Sequence, residues 1–248
     1  NIIQLNQKAK PAGNRGCLWL RDGKCSGKLQ RTGFQGLCAE SLTADESLMK
    51  QVMELPEEKR EIVADNVFRQ MCDTRTPQGI LTVLKKPVWT VEDILKGDAP
   101  LVMVLEDLQD PGNAGTIFRT GEGAGVSGVF LTKTCVDITN PKVIRSTMGS
   151  VYRMPFLYVE DVVSLKAELE QKGIRTFAAH LKGKNSYDQE DYQGGTAFLI
   201  GNEGNGLTEE AAEAADCLIR IPMCGKVESL NAAMAAGILM YEAARQRR

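Results

Sequence analysis

The sequence predicts an α/β protein whose larger, C-terminal part is a mostly parallel sheet with helices on both faces. Three observations predict it. From residue 101 onward, short apolar runs alternate about five times with helix-forming runs, the pattern of a parallel sheet. Residues 101–105 are apolar throughout, as suits a strand buried on both faces. Finally, the glycine-rich stretches 201–207 and 221–231 each follow an apolar run and precede a helix-forming one. They therefore fall at the carboxyl ends of two parallel strands, the edge at which open α/β sheets bind ligands.

Taken in order, residues 1–10 suggest a short amphipathic helix, with Ile2, Ile3, Leu5 and Ala9 as its apolar members. Residues 11–44 are rich in Gly, Arg and Cys and carry neither a helical nor a strand period. The expectation is a segment that does not fold as written. Codons that fit 16–26, read two bases later, give Leu-Phe-Val-Ala-Glu-Gly-Arg-Lys-Met-Phe, which suits a strand and a helix start. A frame error across 11–44 is one reading and a natural loop the other; the gene sequence separates them. Ile62, Val63, Val67 and Met71 have helical spacing within 57–72, and 80–84 reads as a strand stopped by Lys85, Lys86 and Pro87. Residues 91–95 form a short helix or turn. The linker 96–100, Lys-Gly-Asp-Ala-Pro, divides a domain at 1–96 from one at 97–248.

In the second domain the strand 101–105 leads through a polar turn at 106–112 to a helix at 113–124, with Asn113 at its N-cap position. Strands follow at 129–131, 156–159, 175–179, 197–200 and 217–221. Helices follow at 141–149, 161–172, 208–215 and 231–245. Pro141 suits a first turn. Gly123, Gly125 and Gly128 match the dinucleotide-binding spacing. They close a helix and precede a strand, however, which is the wrong context, so Gly123 or Gly125 reads as a helix C-cap.

Composition narrows the function classes. Hydrophobic residues make up 43% and charged residues 25% of 248, enough for a real core. No apolar run approaches the ~20 residues that cross a bilayer, and Asn1–Gln4 lacks a signal-peptide pattern, so a soluble cytoplasmic protein is expected. The net charge of −2 does not advertise nucleic-acid binding, which would need a local basic patch. Seven cysteines without a Cys-x-x-Cys pair and a single His read as reduced thiols and give no expected metal site.

Four features carry chemistry. Asn113 opens a helix on which Arg119 lies six residues on, nearly two turns, and so on a similar side; a surface ion pair is the plainer role for Arg119. Glu203 stands among Gly201, Gly204 and Gly206, in an ordinary turn or in close backbone approach to a ligand. Residues 222–229 make a loop longer than a simple turn, ending at Ser229 or Asn231. The small residues Ala232, Ala233, Ala235, Ala236 and Gly237 let the last helix pack tightly.

Together and in this order these features resemble the three motifs of the SpoU/TrmH branch of the SPOUT superfamily of RNA ribose methyltransferases. The first is Asn113, Gly115 and Arg119-Thr120. The second is Gly201, Glu203, Gly206 and Leu207. The third is Ile221-Pro222-Met223, Gly225 and Ser229-Leu230-Asn231. The resemblance covers 101 to the C-terminus. It implies a deep trefoil knot, S-adenosylmethionine bound in it, a homodimer across it, and methyl transfer to a ribose 2′-hydroxyl of structured RNA. Ribosomal RNA is the expected substrate and transfer RNA the alternative. By the resemblance, Gly201, Ile221 and Leu230, with Gly206, Met223 and Gly225, hold the cofactor largely through backbone groups. Arg119 stabilises the developing alkoxide, Asn113 and Ser229 orient the nucleotide or Arg119, Glu203 positions Arg119 or its loop, and Asn231 braces the cofactor loop. Lys142, Arg145 and Arg153 form a basic strip for RNA phosphates. The resemblance also implies a small α+β, ribosomal-protein-like RNA-binding domain at the N-terminus, whose second half 46–100 fits and from whose pattern 11–44 departs in this frame. Two other readings stand beside this one: a non-catalytic RNA-binding protein on the same fold, and a small-molecule enzyme using a nucleotide cofactor.

Overall fold

The computed structural model describes residues 17–21, 35–41, 46–53, 56–72, 77 and 79–248. The chain divides into two compact units, Asn1–Pro87 and Val88–Arg248. The helix expected over 1–10, and Cys25, lie outside the described residues.

In the first unit the elements run β1 (Cys17–Arg21), β2 (Gln35–Ala39), α1 (Glu46–Met53), β3 (Arg60–Val63), α2 (Asp65–Met71) and β4 (Ile80–Lys85). The described strands form a sheet in the order β1-β4-β2-β3. β4 runs antiparallel to β1 and β2, and β2 parallel to β3. Leu37, Ala39, Phe68, Met71 and Leu81 form one buried cluster, and Cys38 with Val52 another. Two expectations are corrected here. Residues 11–44 were expected to lack regular structure, yet they supply β1 and β2. Their partners are β4 and β3, far along the chain, so no local period announces them. The helix expected over 57–72 is a 3-10 turn (Glu57–Lys59), a strand and a helix. Ile62 and Val63 are β-branched and pair with Cys38 and Ala39, and that ladder overrides the helical spacing.

The second unit opens with α3 (Val91–Ile94), capped reciprocally by Thr90 and Asp93. The fully buried Ile94 packs beneath Gly128, where an added Cβ would come within 2.9 Å of its side chain. This contact draws α3 into the second unit, which therefore begins ahead of the 96–100 linker. There follow β5 (Leu101–Leu105), α4 (Pro111–Ala124), β6 (Gly128–Thr132), α5 (Pro141–Ser146), β7 (Phe156–Val159), α6 (Val162–Gln171), β8 (Arg175–Ala179), β9 (Asn185–Ser186), β10 (Thr196–Ile200), α7 (Glu209–Ala214), β11 (Cys217–Arg220) and α8 (Ala232–Gln246). The sheet order is β7-β6-β5-β10-β8-β11-β9, and every pairing is parallel.

Helix ends follow local chemistry. Asp161, Thr208 and Asn231 cap α6, α7 and α8, and Gly125, at φ +81°, closes α4 as expected. The N-cap of α4 is a correction: it is Asp110, whose carboxylate accepts from the Asn113 N–H at 2.7 Å, with Pro111 in the first turn. One core cluster lies between the sheet and α4 and α8, built on Phe118, Phe177, Phe198 and Met240. The other lies on the opposite face beneath α6 and α7.

Candidate active site

β5 and β10 are neighbours in the sheet, but α4 leads from β5 towards one edge and α7 leads from β10 towards the other. This reversal opens a crevice at their carboxyl ends, and the loops after both strands meet there. The Glu106 N–H donates to Ile200 O at 2.9 Å. The Glu106 carboxylate accepts from the N–H (2.8 Å) and hydroxyl (2.9 Å) of Thr208. Asn202 Nδ2 donates to Asp107 O at 2.8 Å.

Glu203 is the centre of this junction. Its carboxylate accepts from the backbone N–H of Asp110 (2.9 Å) and Gln109 (3.1 Å) and from Asn113 Nδ2 (3.0 Å). Partial burial pushes its pKa up, but the Asn113 amide and the two backbone donors outweigh that and hold it below the ordinary glutamate value. Buried Asn113 in turn accepts at Oδ1 from Asn231 Nδ2 at 2.8 Å. Asn231 then caps α8 through the N–H groups of Ala233 and Met234. Glu203, Asn113 and Asn231, one from each stretch that the sequence singled out, thus form one hydrogen-bonded chain.

The loop bearing Glu203 is rigid. Asn202 and Gly206 exchange backbone hydrogen bonds at 3.0 Å, and Asn202 Oδ1 accepts from Gly204 and Asn205. Gly206 sits at φ +73°. A Cβ at Gly201 would fall 2.1 Å from the Gly206 carbonyl carbon, so only glycine fits.

The loop after β11 is different in kind. It is largely exposed from Pro222 to Leu230, and none of its backbone N–H or C=O groups is hydrogen-bonded among the described residues. Free donors and acceptors beside the partly buried Ile221 and Met223 and the apolar Leu230 suit a purine nucleoside, which needs edge hydrogen bonds and an apolar face. The chemistry of these residues therefore fits S-adenosylmethionine.

Other expected residues are placed differently. Arg119 is exposed and Asn113 buried, so they do not share a side of α4. Six residues leave them about 120° apart around the axis, and the expectation of a similar side is corrected. Glu203 bonds to the Gln109–Asn113 turn, while Arg119 has no hydrogen bond or ion pair within the described residues. Ser229 and Gly225 are exposed, as are Lys142 and Arg145 on α5. Arg153 forms a two-point ion pair with Glu122, which neutralises it in place. Asp107, Gln109 and Asp110 belong to the junction but were not picked out from sequence. The Asp110-Pro111 dipeptide, a cap followed by an N1 proline, was the available signal.

Residues 100–241 match the model of the SpoU rRNA Methylase family. The chain belongs to this family. Among relatives of the SpoU chain, an uncharacterized tRNA/rRNA methyltransferase of Synechocystis is 36% identical over 75% of this chain and 67% of its own. The 23S rRNA (guanosine(2553)-2′-O)-methyltransferase RlmP of Bacillus subtilis is 33% identical over 73% and 70%. The AdoMet-bound rRNA methyltransferase of Sinorhizobium meliloti superposes with a TM-score of 0.81 at 25% identity, covering 98% of this chain and 93% of that one. The SpoU methyltransferase AviRb of Streptomyces viridochromogenes, also bound to AdoMet, shares the fold with a TM-score of 0.83.

Proposed function

We propose that this SpoU-family chain is an S-adenosylmethionine-dependent RNA methyltransferase acting on a ribose 2′-hydroxyl, with ribosomal RNA as its substrate. The observation that carries the reading is the Glu203–Asn113–Asn231 chain, which gathers three separate loops beside the open backbone of residues 222–230. When bound, the cofactor supplies an electrophilic methyl group. Gly201 and the 221–230 loop hold it through backbone groups, and the knot that the resemblance implies and the cytoplasmic location expected from composition belong to this reading.

The remaining chemistry falls to the chain's own residues. A ribose hydroxyl gains negative charge as it loses its proton. The Arg119 guanidinium acts by stabilising that charge, and a neighbouring RNA phosphate takes the proton. Arg119 faces outward on α4, away from its own junction, which fits a site completed by a second copy of the chain. The first unit, a small α+β domain, grips RNA in this reading, and Ser229 orients the nucleotide.

The test uses the purified protein, labelled S-adenosylmethionine and deproteinised ribosomal and transfer RNA. Methyl incorporation at a ribose is expected, with ribosomal RNA preferred. Arg119→Ala is expected to abolish transfer while cofactor affinity stays within about tenfold. Turnover that survives this change overturns the role given to Arg119.

A further inference from the structure

The turn after β8 is built with care and has no part in the junction described above. The His180 N–H continues the sheet to Ile219 O at 2.9 Å, and the Gly183 N–H closes the turn on His180 O at 3.0 Å. The Lys182 N–H donates to His180 Nδ1 at 3.1 Å. Gly183 is pressed against β11 so closely that a Cβ would lie 2.6 Å from the Ile219 carbonyl carbon and 2.8 Å from Arg220 N. Directly afterwards β9 pairs with β11. This braced turn presents Lys182, Lys184 and the 69%-exposed Leu181 to solvent, and Arg220 and Lys226 emerge exposed from the neighbouring β11 and its loop.

None of these four cations forms an ion pair within the described residues, whereas Lys133, Arg153, Lys166, Arg175 and Arg245 of the same unit are all paired. The acidic side chains nearest in sequence are Asp188, Asp216 and Glu228; Asp216 is paired with Lys166, so the patch keeps a positive excess on a chain whose net charge is −2.

Sheet order fixes where this patch lies. β8 and β11 flank the β5–β10 crevice on one side, and α5, with Lys142 and Arg145, follows β6 on the other. From β6 to β8 is three strand spacings, roughly 14 Å, a span of a few nucleotides. We infer that Lys182, Lys184 and Arg220 hold the phosphodiester backbone of the substrate RNA on the β8–β11 side of the target ribose, with Leu181 packed against a flanking sugar or base. This assignment rests on the RNA-methylation reading and adds a binding surface to it.

The experiment compares wild type with Lys182→Ala/Lys184→Ala and with the charge-matched control Lys96→Ala/Lys172→Ala on the amino edge. Binding of a fluorescein-labelled RNA hairpin is measured by anisotropy against salt, and S-adenosylmethionine binding and thermal unfolding are measured on the same samples. For the turn variant, RNA affinity is expected to fall roughly five- to twentyfold and the salt slope by about 1.5. Its cofactor affinity and unfolding midpoint should match wild type, and Lys182→Arg/Lys184→Arg should restore binding. An RNA affinity and salt slope equal to wild type overturn the inference. So does an equal loss in the amino-edge control, which would mean that only net charge matters. A loss of cofactor affinity in place of RNA affinity also overturns it, assigning the turn to the cofactor's carboxylate. Failure of the wild type to methylate any RNA overturns the functional reading instead, and the binding comparison remains readable.

Discussion

Glu203 shows how one carboxylate can tie two loops together. Its oxygens take three donors from the Gln109–Asn113 turn, so the β10 loop cannot move independently of α4. Because its pKa is held below the ordinary glutamate value, the ionised group favours the folded state. That contribution is complete above about pH 4.3, the unfolded glutamate value, and is lost as pH falls through the lower, folded pKa. Glu203→Gln keeps one acceptor oxygen and turns an amide towards a backbone donor. It is expected to cost about 1 kcal/mol at neutral pH, allowing for solvent screening, and to flatten the acid limb of stability. Denaturant titrations at pH 7 and pH 4 check this; an unchanged acid limb would show that the carboxylate carries no such linkage. The sequence made Glu203, Asn113 and Asn231 legible because each stands among turn or cap residues. It hid that Asn113 lies inside its helix, since the choice of cap depended on Asp110 and on the proline after it.

Between elements, glycines decide how closely helices approach. At Gly115 an added Cβ would lie 1.7 Å from Ser146 Oγ and 2.9 Å from the Ser146 carbonyl carbon. Ser146 is held there by bonds to Pro111 O and Val143 O. Gly115→Ala must therefore push α5 off α4, at a cost of about 2–3 kcal/mol. Gly123, on the same helix, meets only Tyr241 Oη at 3.3 Å, and there the helix propensity of alanine offsets the contact, leaving stability within about 1 kcal/mol of wild type. Thermal unfolding of the two variants checks the contrast, and equal shifts would contradict it. The strand 156–159 was readable residue for residue because an apolar run stands between clear breaks. β3 was not, because its apolar positions also fit a helix and only the distant β2 decides between them. β9 is two residues long and leaves no pattern to read.

At the scale of the molecule, α8 joins the site to the far edge of the sheet. It starts at Asn231 in the junction and ends at Arg247, whose guanidinium donates to the carbonyls of Ala99 (2.8 Å), Tyr192 (2.8 Å) and Gly194 (2.6 Å). Its outer face exposes Met234 and Tyr241, at 60% and 48%, on the same flank as the outward-facing Arg119. In the proposed reading, this is the surface that a second copy covers to complete the site. Light scattering of Tyr241→Glu is expected to give a monomer that stays folded and loses activity; a dimer with full activity would place the contact elsewhere. The open stretch 222–230 has a different consequence. Its amides have no partner among the described residues, so their protons would trade with deuterium almost as fast as in a free peptide. A nucleoside seated against them would slow that exchange sharply. Occupancy could then be read as a clock at these few amides, without labelling the ligand or waiting for a turnover.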